Sequence, residues 1–301
     1  MTEPINIAFI GLGVMGGPMA GHLAQAGYKV TAYNRSPERA AHWQATWSEE
    51  DLAIAFAETP AKAAEGADVA FTCVGNDEDL LSVLEGDSGV LALLPQGALL
   101  VDHTTTSANI ARSVGERCAN LDIGFVDAPV SGGQAGAENG QLAIMCGGSE
   151  EAVERARPVM DCYAKSIVHV GPTGAGQTAK MANQMCIAGV LGGLSEAIRL
   201  AQGAGLDLDK TYQAISGGAA QSWQMDNRWA TMVQDKFDFG FAIDWMRKDL
   251  GYALEEAKRL GLSSPISALV DQFYADVQAQ GGNRLDTSAL ITRLPKVKDT
   301  K

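Results

Sequence analysis

Short apolar runs rich in Val, Ile and Phe alternate with amphipathic stretches along the first half of the chain. Ile5–Ile10, Lys29–Asn34, Ile54–Phe56, Asp68–Val74 and Ala98–Asp102 have the length and composition of buried strands. Between them, Met15–Ala26, Pro60–Glu65, Asp77–Leu84 and Ser107–Leu121 repeat apolar residues at helical spacing. Such alternation predicts a parallel sheet with helices on both faces. Gly124–Ala128, Leu142–Cys146 and Ile167–Val170 predict further strands that extend the sheet. After Val170 the strand pattern stops.

A helical pattern without proline then runs from Gln177 to Gln202. It covers about 26 residues, roughly 39 Å at the helical rise. Leu208–Ser216, Ser222–Met232, Ala242–Leu260 and Pro265–Gln280 continue as helices, with Gly261 at a C-cap position. The expected fold class is α/β plus all-α. A sheet domain spans 1–165 and a helical domain 166–301, with a linking helix at about 177–202. The boundary falls in a stretch rich in Gly, Pro and Thr, and the polar tail Lys296–Lys301 is expected to fray.

The length of 301 residues agrees with about two domains. Thirty-six acids against 23 bases give a net charge of −13, a field that repels polyanions and excludes nucleic-acid binding by phosphate neutralisation. Five dispersed cysteines form no CxxC or zinc-type spacing. No basic leader precedes the first strand and no run of about 18 apolar residues occurs, so a cytoplasmic chain without a membrane span is expected.

Four motifs carry candidate chemistry. Gly11-Leu12-Gly13-Val14-Met15-Gly16 follows a strand and opens a helix. That context predicts a Rossmann-type dinucleotide site: Gly11 for the tight turn, Gly13 for approach of a pyrophosphate, Gly16 for helix–strand packing. The second strand ends in Asn34-Arg35-Ser36, where an NAD enzyme usually places an acid. A guanidinium clamps a 2′-phosphate that a carboxylate would repel, so NADP(H) is preferred and NAD(H) is the second choice. The competing reading of Arg35 is a solvated surface arginine. The third motif, Asp127-Ala128-Pro129-Val130-Ser131-Gly132-Gly133, places a hydroxyl beside two unshielded peptide N–H groups. It is either a nest for a carboxylate or an ordinary glycine turn. The fourth, Gly171 to Gln184, leads into the long helix and puts Lys180 and Asn183 on one helix face. In a dry cleft a lysine exchanges a proton with a carbonyl or hydroxyl oxygen, although exposure is the commoner fate of a helix lysine.

Taken together and in this order, GLGVMGGPM, DAPVSGG and GPTGAGQTAKMANQ resemble the β-hydroxyacid dehydrogenase family, of the 3-hydroxyisobutyrate dehydrogenase and semialdehyde reductase type. The resemblance covers essentially the whole chain. It implies that Lys180 is catalytic, that Asn183 assists, and that Ser131, Gly132 and Gly133 bind a substrate carboxylate. It also implies Thr105 near the nicotinamide and substrate, Val74 and Lys248 near the cofactor, and Phe241 and Trp223 along the substrate pocket. A homodimer or higher homo-oligomer follows from the same resemblance, with Gly189 and Gly193 offering a small-residue stripe. Three segments depart from the family pattern: His103 before the two threonines, Val74-Gly75-Asn76-Asp77 after the fourth strand, and Asp244-Trp245-Met246-Arg247 before Lys248. His103 is an alternative acid–base. Imine reduction, carbonyl reduction on a neutral substrate and a non-catalytic NADPH-binding scaffold are the competing functions; the lysine argues against imine reduction and the scaffold.

Overall fold

The computed structural model describes residues 5–47 and 52–296. The start Met1–Pro4 and all of the expected tail except Lys296 lie outside the described residues. The chain divides into two compact units, Met1–Lys180 and Met181–Lys301. The division falls at Lys180 rather than near 165, because the strand Ala164–Gly171 pairs with Leu142–Gly148 and belongs to the sheet.

In the first unit, strands β1 (Asn6–Ile10), β2 (Lys29–Tyr33) and β3 (Ile54–Phe56) alternate with helices α1 (Gly16–Gln25), α2 (Pro37–Trp47) and α3 (Pro60–Ala64). Next come β4 (Val69–Thr72), α4 (Asp77–Leu84), α5 (Val90–Leu93), β5 (Leu99–Asp102) and α6 (Ala108–Asn120). The unit continues with β6 (Gly124–Asp127), β7 (Val130–Ser131), α7 (Gly133–Glu138), β8 (Leu142–Gly148), α8 (Glu150–Met160) and β9 (Ala164–Gly171). The sheet order is β3-β2-β1-β4-β5-β6-β8-β7, with β9 on β8.

Alternate residues of β1 enter opposite cores, Ile7 and Phe9 on one face, Ala8 and Ile10 on the other. Burial on both faces is what makes the strand sequence continuously apolar. The strands from β3 to β6 are parallel, as expected. The extension is not: β8 runs antiparallel to both β6 and β7. The pairs Asp127–Gly147 and Val130–Ile144 keep one register, so β6 and β7 are one long strand interrupted at Pro129. Proline brings no N–H to the ladder, but its carbonyl accepts from Met145 N at 3.1 Å. The strand folds back on β8 as a hairpin, and Ser131-Gly132-Gly133 lies where it turns.

Helix α9 (Ala175–Gly203) leads out of the first unit. The second unit adds α10 (Leu208–Ser216), α11 (Trp223–Val233), α12 (Ile243–Arg259), α13 (Pro265–Ala279) and a 3-10 turn at Thr287–Arg293. Its core gathers Leu191, Ile198, Trp229, Met246 and Tyr274. The small-residue stripe of α9 is covered within the chain only in part: a side chain at Gly189 would meet Ile266 of α13 at 3.9 Å, whereas Gly193 is exposed and a Cβ there would meet nothing within 4 Å. The bulky segment before Lys248 also has structural work. Met246 is core, while Arg247 pairs with Asp271 of α13 at 2.9 Å. No helix among the described residues is long and apolar enough to cross a membrane.

Candidate active site

The glycine loop sits at the carboxyl end of β1. Gly11 has φ +102°, and a Cβ there would strike the carbonyl of Cys73, the residue just after β4. A Cβ on Gly16 would strike the Gly11 carbonyl and press on Phe9 of β1. At Gly13 a Cβ would point into open space. The loop is held from the next strand: Leu12 N donates to Asn34 Oδ1 at 2.9 Å, and Asn34 Nδ2 donates to the Ser36 carbonyl at 3.0 Å. Asn34 therefore shapes the loop. No side chain caps the first turn of α1, so its N–H groups face the position that a pyrophosphate takes in this fold. Val14 is exposed and Met15 half-buried beside it. Arg35 is 82% exposed and pairs with Asp79 of α4 at 3.0 Å. Ser36 donates to Glu38 at 2.8 Å. Both polar groups that follow Asn34 are thus already engaged by carboxylates.

The ends of β4 and β5 form the next part of the rim. Val74 N donates to Thr104 Oγ1 at 3.1 Å. Asn76 caps α4, and Asp77 accepts from the N and Oγ of Ser107 at 2.8 and 2.6 Å. The unusual turn after β4 therefore ties two helix starts together. Asp102 is fully buried. Its Oδ1 accepts from Thr72 and from Thr104 N at 2.7 and 3.0 Å, and its Oδ2 has no hydrogen-bond partner among the described residues. Burial pushes this carboxyl from its ordinary 3.8 up to about 7, against the pull of its hydrogen bonds.

A carboxyl that binds its proton more tightly when folded contributes stability that is full below its unfolded pKa. That contribution is lost as pH rises through about 7. The stability of the wild type relative to Asp102→Asn is expected to fall between pH 4 and pH 8, by at most about 1.4 kcal/mol per pH unit. Denaturant melts of both proteins across that range check this; a pH-independent difference contradicts it.

His103 is no proton carrier. Its Nδ1 donates to the Ala128 carbonyl at 2.6 Å, which leaves Nε2 to accept from the Tyr163 hydroxyl at 2.8 Å. It stacks on Phe71 at 5.5 Å, and burial holds its pKa down near 4. The ring is a neutral pin inside the sheet domain.

The third part of the rim joins β6 to α9. Asp127 is fully buried; its Oδ1 accepts from Gly174 N at 2.7 Å and its Oδ2 from Gln177 N at 2.9 Å. A carboxylate thus caps the start of the long helix. Burial raises Asp127 to about 6, and the backbone N–H groups oppose the rise. The side chain of Gln177 reaches the segment after β5, with Nε2 on the Thr104 carbonyl at 2.7 Å and Oε1 accepting from Thr106 N at 3.0 Å. Thr105, half-buried, lies between those two peptide groups. One turn further along α9, Lys180 is only 8% exposed, unlike the usual helix lysine. Ser131 is half-buried at the hairpin turn, where Gly132 and Gly133 take φ of +138° and +62°.

In the second unit, Asn183 Nδ2 donates to Gln184 Oε1 at 2.8 Å, and Gln184 Nε2 donates to Asp249 Oδ2 at 2.6 Å. Lys248 pairs with the other oxygen of Asp249 at 3.3 Å. One buried carboxylate therefore links Asn183 and Lys248. Trp223 and Phe241 are linked too. The Arg228 guanidinium lies 5.0 Å from the Trp223 ring and pairs with Asp286, which also accepts from Phe241 N at 2.9 Å. Asp127, Gln177 and Gln184 lie inside the motifs quoted from the sequence but, like Asp249 and Asp286, are given no role there. A carboxylate ending an apolar run, as in Phe125-Val126-Asp127, was the available signal, since such a group has to find donors. The described residues hold no cluster fit to bind a metal ion.

A doubly wound sheet with a glycine loop against an uncapped helix start defines a dinucleotide-binding fold. Comparison with known proteins narrows the class. Residues 6–171 match the NAD binding domain of 6-phosphogluconate dehydrogenase. Residues 174–294 match the family described as NAD-binding of NADP-dependent 3-hydroxyisobutyrate dehydrogenase. An uncharacterized oxidoreductase of Shewanella frigidimarina is 55% identical, over 97% of this chain and 98% of its own. The 2-hydroxy-3-oxopropionate reductase of Escherichia coli is 34% identical over 99% of both chains. The structure of Mycobacterium tuberculosis 3-hydroxyisobutyrate dehydrogenase with L-serine superposes with a TM-score of 0.86 at 32% identity, over 97% of this chain and 99% of that one. The chain belongs to the β-hydroxyacid dehydrogenase family and is an NAD(P)-dependent oxidoreductase acting on CH–OH groups.

Proposed function

We propose that this protein interconverts a short 3-hydroxy acid and its semialdehyde, with NADP(H) preferred over NAD(H) and Lys180 as the acid–base. The observation that carries this reading is the burial of Lys180 on α9, one turn beyond a glutamine that grips the Thr104–Thr106 segment. When bound, the nicotinamide supplies a hydride to a carbonyl carbon, or takes one from a carbinol. Gly11, Leu12, Gly13, Val14, Met15 and Gly16 would hold its pyrophosphate, and Val74, Thr105 and Lys248 would lie along its nicotinamide half.

Lys180 gives its ammonium proton to the carbonyl oxygen in reduction, leaving an alcohol and a neutral amine. In oxidation the neutral amine takes the hydroxyl proton back. Asn183 shares the helix face with Lys180 and donates to the same oxygen. The Ser131 hydroxyl and the N–H groups of Gly132 and Gly133 hold the substrate carboxylate, which orients the carbonyl. Trp223 and Phe241 face the other end of the substrate. A panel of three- and four-carbon semialdehydes and 3-hydroxy acids, with both cofactors and absorbance at the nicotinamide band, tests the reading. Turnover of none of them overturns it.

Cofactor choice rests on Asn34, Arg35 and Ser36. A charge-assisted contact from Arg35 to a 2′-phosphate contributes about 1.5–3 kcal/mol. The phosphate has to displace Asp79 from an exposed guanidinium, so the lower end applies, roughly a tenfold preference for NADPH. Arg35→Asp should erase or reverse that preference in kcat/KM. Equal use of both cofactors by the unmodified protein contradicts it.

A further inference from the structure

The residue that joins the rim of the sheet to the lysine helix has no role in the chemistry above. Gln177 is fully buried, and its backbone N–H and its carboxamide engage two different parts of the first unit. Its backbone N–H is held by Asp127 at the end of β6. Its carboxamide closes on the two peptide groups that flank Thr105, donating to Thr104 O and accepting from Thr106 N. Lys180 follows three residues later on the same face of α9. The helix start has no room to shift: a Cβ at Gly176 would strike the Asp127 and Met145 carbonyls. Only a side chain with one donor and one acceptor at this reach closes both contacts, and shortening it by a methylene opens them.

We propose that Gln177 is a positioning residue, which fixes Thr105 relative to Lys180 by clamping the peptide groups on either side of Thr105 to the helix that carries the lysine. The inference rests on the reading of Lys180 as the acid–base. Thr105 and the proton donor are then parts of one rigid assembly, and a displacement of about 1 Å between them costs on the order of 10²-fold in rate. A buried glutamine that only stabilised the fold would lower the melting temperature and leave the turnover of folded protein unchanged.

Two substitutions separate these roles. Gln177→Met keeps the length and volume and removes both hydrogen bonds. Its kcat with NADPH and a semialdehyde acid should fall about 10²-fold, well below the unfolding temperature, with the Kd for NADPH within about threefold of wild type. Gln177→Glu is conditional on pH. Protonated, the carboxylic acid donates to Thr104 O and accepts from Thr106 N, restoring the clamp; ionised, it repels Thr104 O. The titratable and charged groups around it are Asp102 and His103 of the β5 end, Asp127 of β6, Arg112 of α6 beside Gly174, and Lys180 of α9. The kcat of Gln177→Glu relative to wild type should therefore rise at least about tenfold from pH 8 to pH 6. Wild-type kcat in Gln177→Met, or a flat ratio in Gln177→Glu, overturns the proposal. If the wild type itself turns over no hydroxy or semialdehyde acid, the functional reading fails, and that result is distinct from both.

Discussion

Lys180→Ala should lower kcat for semialdehyde reduction by about 10²–10⁴-fold, the usual worth of a positioned acid–base. The Kd for NADPH, read from the fluorescence of the bound cofactor, should stay within about twofold. Lys180 is 8% exposed, on the helix that Asp127 caps. Its loss leaves the oxyanion that forms on hydride addition without that positioned proton. His103 does not replace it, because both ring nitrogens are already bonded and the ring is neutral at working pH. A kcat within about threefold of wild type would place the proton source elsewhere.

The second large effect concerns the substrate carboxylate. A semialdehyde acid and its methyl ester should differ in kcat/KM by about 10–10²-fold in favour of the acid, at saturating NADPH. Esterification removes the charge and leaves N–H groups of the nest unpaired, at about 1–3 kcal/mol. The left-handed backbone of Gly132 and Gly133 sets the direction of those N–H groups. Ser131→Ala should lower kcat/KM for the acid several-fold and leave the ester nearly unchanged. An ester that performs as well as the acid would return imine reduction, or reduction of a neutral carbonyl, to the lead.

Which parts of this were legible in the sequence follows from how local the cause is. β1, β4 and β5 were readable because burial on both faces writes itself as an apolar run, and β2 because Val30 and Ala32 alternate with less buried residues. The Gly11–Gly16 loop was readable because its glycine spacing falls within six residues, although the contact that Gly11 answers, the Cys73 carbonyl, lies far along the chain. Helix α2 was missed because its apolar face is narrow: Trp43 is its one buried residue, and only Ala40 and Trp47 pack beside it on the core. Helix α8 was missed although Ala152, Val153, Ala156 and Val159 mark its face; Pro158 near its end breaks the pattern.

Lys180 shows the limit most clearly. The buried residues at 177, 180, 181 and 184 recur at helical spacing, but three of the four are Gln, Lys and Gln. A polar stripe reads as the solvent face, and only partners far along the chain reverse that reading. Gln184 meets Asp249 across 65 residues, and Gln177 meets Thr104 across 73. No window of sequence contains both ends of either bond.

Hydride transfer to a carboxylate-bearing aldehyde is tested most directly with NADPH deuterated at the transferable C4 position. The wild type is mixed with a four-carbon semialdehyde acid, and the product is read by NMR. One deuterium on the carbinol carbon of the hydroxy acid, formed in step with loss of nicotinamide absorbance, is the expected result. Bound NADPH with no labelled hydroxy acid, from this or any other short semialdehyde acid, would contradict it.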